Sequence, residues 1–130
     1  MPWIKGSVTN PAAGTIVIRF RVFTGSTPHS GIVGVTGVYV ASTATVTIVA
    51  RRRNAAETQT YDNVFRVVCP ANDSRLFRSP DDPFIANIGV PEAGSYEIVD
   101  FYVLSAVTGV VYVAVEVFGG PVDVVTGSVF

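Results

Sequence analysis

The chain has one histidine, His29, and one cysteine, Cys69, and that scarcity removes most site chemistry at the outset. A zinc centre built from His and Cys needs several such ligands converging. A serine nucleophile would need His29 as its base, and nothing in the surrounding GSTPHSG supports that arrangement. Glu97, Asp100 and Glu116 are close enough in sequence to meet across a hairpin, the geometry that acid–base work requires. Cross-strand charges of this kind are equally ordinary surface chemistry. Asn72, Asp73, Asp81 and Asp82 offer hard oxygens for calcium, but their spacing does not match an EF-hand loop. Gly31, Gly34 and Gly37 lack the Lys-Ser/Thr ending and following helix of a phosphate loop. No catalytic group, metal site or cofactor is expected.

Two further sets of residues concern binding. Arg51, Arg52 and Arg53 stand in a run, yet strand geometry points Arg52 away from its neighbours. No aromatic stacking motif accompanies them, so ion pairs within or between chains are expected rather than nucleic-acid contacts. Tyr39, Tyr61, Tyr102 and Tyr112 are flat aromatics of the kind that stack on sugar rings, and tyrosine is also simply a good strand residue.

The elements that must position these residues are strands. Among 130 residues there are 25 valines and 12 threonines, against two leucines and one methionine. Branched side chains suit a pleated surface and lower helix propensity. A single domain of this length buries a core without staples. Charged residues make up 15%, where about 25% is usual. A net charge of −1 and a pI near 5.7 give no general attraction to nucleic acid or anionic membrane.

Alternation predicts strands over 15–24, 32–41, 44–52, 84–90, 96–104 and 110–118, an exposed turn over 51–56, and 57–61 with 64–69 as one bent strand or two, with a shorter strand near 4–8 and another in the closing tail. In 15–24, Ile16, Ile18, Phe20 and Val22 are expected in the core, and Val17, Arg19, Arg21 and Phe23 outside. The segment 70–83, PANDSRLFRSPDDP, reads as a long polar loop. A slip in the pattern of 96–104 calls for a bulge near Asp100. The uncharged stretch Ser30–Ala50 has the length of a membrane span, but its six Ser/Thr, three Gly and period-two ending make it strand instead. No membrane association and no secretion signal are expected.

Roughly eight or nine strands at these spacings predict an all-β, single-domain β-sandwich without substantial helix. Residues 1–14 form an arm or edge strand, 15–118 the sandwich core, and 119–130 a second arm or strand. GSYEIVDFYVL, with its short turn and following strand, resembles the late strands of jelly-roll trimers, which implies a jelly-roll-like sandwich.

One strand poses a question of its own. In GVVYVAVEVFGG (109–120), Val111, Val113, Val115 and Val117 share one face, and Val110, Tyr112, Ala114, Glu116 and Phe118 the other. Both faces are apolar, while a two-sheet domain covers only the inner one. The second face is therefore expected to meet a partner chain. Trp3, Val17, Phe23, Val110, Tyr112, Phe118, Val122, Val124 and Phe130 are the expected partner-facing residues. These features together predict a non-enzymatic, self-assembling structural protein, a trimer by preference. A virion component such as a phage capsid decoration (cement) or head-fibre subunit is the expected role, made in the host cytoplasm and docked on other particle proteins. A carbohydrate- or cell-surface-binding module is the alternative.

Overall fold

The computed structural model describes residues 3–23, 33–60, 65–78, 85–88, 96–119 and 122–129. Eleven strands form among them: β1 Trp3–Thr9, β2 Ile16–Phe23, β3 Val33–Ser42, β4 Val46–Asn54, β5 Phe65–Cys69, β6 Asp73–Arg78, β7 Ile85–Ile88, β8 Tyr96–Val103, β9 Val110–Gly119, β10 Val122–Thr126 and β11 Ser128–Val129. They pair antiparallel into two sheets packed face to face, a β-sandwich with no helix among the described residues. The first sheet runs β11-β1-β9-β3-β6, with β7 continuing the edge beside β3, and the second runs β10-β2-β8-β4-β5. Setting aside β7, β10 and β11, this order is the double Greek-key wrap of a jelly roll.

The core follows from alternation. From the second sheet it takes Ile18, Phe20 and Val22, Val46, Ile48 and Ala50, and Val99, Phe101 and Val103. From the first it takes Val35, Val38 and Val40 and the four valines Val111, Val113, Val115 and Val117. Each such side chain contributes about 1.5–3 kcal/mol on full burial. The inner face of the β9 puzzle strand is thus the domain's own core.

Three expectations are corrected. The pattern slip lies in β2, where the register with β8 shifts between Ile16 and Ile18. That bulge turns Val17 inward, 2% exposed and part of the core, instead of toward a partner. β8 itself needs no bulge: Val99, Phe101 and Val103 face inward without interruption, and Asp100 faces outward. Finally, Asp73–Arg78 is a strand inside the segment read as a loop. An edge strand exposed along most of its length has no apolar alternation to announce it.

The closing tail supplies an edge to each sheet. β10 lies beside β2 and β11 beside β1, with Gly127 at the crossing (φ 112). A Cβ there would run into the carbonyl oxygen of Lys5, so only glycine allows so close a passage. Val122 and Val124 pack against the chain's own core, which corrects their assignment to a partner surface. Val125 and Val129 are the tail valines left exposed.

Candidate functional site

The two outer faces of the sandwich differ sharply. That of the second sheet is covered by arginine across β2, β8 and β4, with Val68 on the edge strand β5 left exposed. Arg19 on β2, Asp100 on β8 and Arg51 on β4 stand in one cross-strand row. Arg19 donates to Asp100 from Nε (2.6 Å) and Nη2 (3.1 Å), and Arg51 donates from Nε (3.1 Å). Asp100 is wholly buried beneath these two side chains. Its hydrogen bond, opposed by partial burial, holds the Arg19 guanidinium above its ordinary pKa. Glu57 bridges Arg19 and Arg53, and the Arg53 Nη2 also donates to the Glu57 carbonyl (2.5 Å). Arg51 lies over the Tyr102 ring at 4.4 Å and Arg21 over Tyr96 at 5.3 Å.

Arg52 points the other way, into the end of the sandwich, where it makes a bidentate pair with buried Glu97 (3.0 and 3.1 Å). Burial pushes the Glu97 carboxyl above the usual carboxylate range, and Arg52 draws it only part of the way back. The three arginines of the run therefore all make ion pairs within the chain. Glu97, Asp100 and Glu116 do not converge: they occupy the sandwich interior and two opposite outer faces.

The outer face of the first sheet is open and sculpted. Its rows read Trp3–Glu116–Gly37–Arg78, then Lys5–Ala114–Tyr39–Leu76, then Ser7–Tyr112–Ala41–Ser74. Small residues next to aromatic ones create depressions by size difference alone. Ala114 is the 3% exposed floor of a hollow of about 310 Å³ walled by Trp3, Tyr39, Leu76 and Tyr112. The Tyr39 and Tyr112 rings meet edge to face at 6.0 Å, which fixes both. At one end Glu116 accepts from Arg78 (2.8 Å) and from the Thr36 hydroxyl (2.9 Å), and Arg78 lies 5.9 Å from the Trp3 ring centroid. Two more shallow hollows border Tyr112, one of about 380 Å³ toward Asn72–Ser74 and one of about 350 Å³ toward Lys5, Ser7 and Ser128. Leu76 (54% exposed) and Val110 (45%) stand clear of the surface.

Of the expected partner-facing residues, Trp3, Val110 and Tyr112 come together on this face. Phe23 and Phe118 lie on strands, but their side chains, like Phe130, His29, Tyr61, Asp81 and Asp82, lie outside the described residues. Sequence reasoning missed Leu76, hidden in the polar segment, and the floor residue Ala114. It also missed the Arg19–Asp100–Arg51 row, whose one signal was a carboxylate in the middle of an apolar strand. No family model matches this sequence, and the searches of curated proteins and of solved structures likewise give no match.

Proposed function

We propose that this chain is a non-catalytic structural subunit that associates with copies of itself through the outer face of the β11-β1-β9-β3-β6 sheet. One observation carries the reading: Trp3, Tyr39, Leu76 and Tyr112 form an apolar and aromatic surface around the Ala114 hollow, with nothing in the chain's described residues laid over it. The second sheet covers its own outer face with arginine stems and ion pairs, so the two faces are not equivalent. The first carries both a hollow and apolar knobs, so a knob of one copy can fill the hollow of the next, the heterologous contact that closes into a ring. Apolar surface of this kind is what subunit interfaces bury. A closed trimer is the expected assembly, and a component of a virus particle, such as a phage capsid decoration or head-fibre protein, is the role that suits it.

Trp3 is the only tryptophan and sits on the proposed interface, so its fluorescence reports assembly directly. Association shields Trp3 from acrylamide at high protein concentration, and dilution or the substitution Leu76→Asp exposes it. Quenching that is identical across the dilution series and unchanged in Leu76→Asp would refute the interface.

A further inference from the structure

We infer that the turn end of the first sheet's outer face is a binding site for an uncharged saccharide, stacked on Tyr112 and hydrogen-bonded by the β5–β6 turn. This goes beyond the assembly reading and shares with that surface only Tyr112, which stands between the two hollows, bordering Ala114 on one side and Asn72–Ser74 on the other. The hollow of about 380 Å³ is bordered by Tyr112, Val110, Thr43, Asn72, Asp73 and Ser74. Its chemistry differs from that of the Ala114 hollow beside it, which is walled almost wholly by apolar groups.

A pyranose presents a C–H face and a rim of hydroxyls, each both donor and acceptor. Its recognition needs one flat apolar wall and several polar groups of mixed character. Tyr112 supplies the wall and is held in orientation by its contact with Tyr39. Asp73 accepts from the Ser74 amide (2.8 Å, Oδ1) and from Arg75 Nε (2.9 Å, Oδ2). Each oxygen therefore retains a lone pair, and these two donors keep the carboxyl below its usual range and ionised. Thr43 Oγ1 accepts from the Val110 amide (3.0 Å), which leaves its own hydrogen to donate. Asn72 offers both a donor and an acceptor and stands in the left-handed region (φ 52), which asparagine tolerates.

The scaffold behind these groups is tied down. The buried Cys69 thiol donates to the Asp73 carbonyl (3.4 Å), pinning the start of β6. The ionised Asp73 also sets the ligand class: it accepts from sugar hydroxyls and repels a sugar carboxylate.

The test is saturation-transfer NMR on the full chain with D-glucose, D-galactose, D-mannose and N-acetylglucosamine, and with sialic acid as the charged comparator. At least one neutral sugar is expected to receive saturation on its C–H face, and sialic acid none. Tyr112→Ala should abolish the transfer. Asp73→Asn, on an exposed edge strand where folding is not at stake, should weaken binding at least about tenfold, as for a lost hydrogen bond to a charged group. Leu76→Asp, which addresses assembly alone, should leave the transfer in place. No transfer from any neutral sugar would overturn the site, as would transfer that survives both Tyr112→Ala and Asp73→Asn.

Discussion

Asp100→Asn removes the one negative charge between Arg19 and Arg51 while keeping the side chain's shape. Asp100 is fully buried and accepts three hydrogen bonds from the two guanidiniums. Deleting one partner of a buried ion pair costs about 3–5 kcal/mol, because the other is left desolvated and unpaired. Here the arginine side chains retain 19% and 24% exposure, so water recovers part of their solvation. A loss of about 2–4 kcal/mol is expected. In a domain of this size that lowers Tm by roughly 10 °C. Urea unfolding should show a lower midpoint at unchanged m, the mark of a stability change without altered compactness. Replacing the row as a whole, Arg19→Met with Asp100→Leu and Arg51→Met, should recover most of the loss, since no charge is then stranded. A single-mutant loss below about 0.5 kcal/mol would place the row among surface ion pairs and refute the reasoning.

Glu97 gives a pH dependence whose sign follows from its raised pKa. The folded state binds this proton more tightly than the unfolded chain, so the contribution is present below the ordinary value of 4.5 and is lost as pH rises through the folded value. The stability of the wild type relative to Glu97→Gln should therefore decline above pH 4.5 in urea titrations; a relative gain over that range would show that the Arg52 charge dominates. Gly6→Ala drives a Cβ into the Val17 carbonyl where β1 crosses β2, and should cost roughly 1–3 kcal/mol by overpacking. Gly37→Ala meets only ordinary contacts near 3.6 Å and should be tolerated, so equal losses in the two variants would contradict the packing described.

Period-two alternation is enough to read the sandwich, because β2, β3, β4, β8 and β9 each carry apolar residues along an inner face that builds the core. The inner valines of β9, which lie in the core, are legible on that ground alone. What alternation misses is any strand that buries little. β6 has four charged or polar residues in six and lies at an edge, so its sequence is indistinguishable from a loop. A bulge is equally silent: Val17 and Ile16 are both apolar, and only pairing with β8 decides which of them turns inward. The arginine row was hidden for a third reason. Its members come from β2, β4 and β8, and sequence separations of 49 and 81 residues carry no local signal of contact. The Ala114 hollow depends likewise on strands brought together by the fold, since Trp3, Tyr39, Leu76 and Tyr112 come from four different strands.

The outer face of β9 is the reason to expect that this chain works in more than one copy. The direct measurement is solution mass by light scattering across a dilution series, for the wild type and for Leu76→Asp. A stable closed oligomer, expected to be a trimer, that falls to the 13.8 kDa monomer in the variant is the outcome the assembly reading requires. A wild-type monomer at every concentration would contradict it.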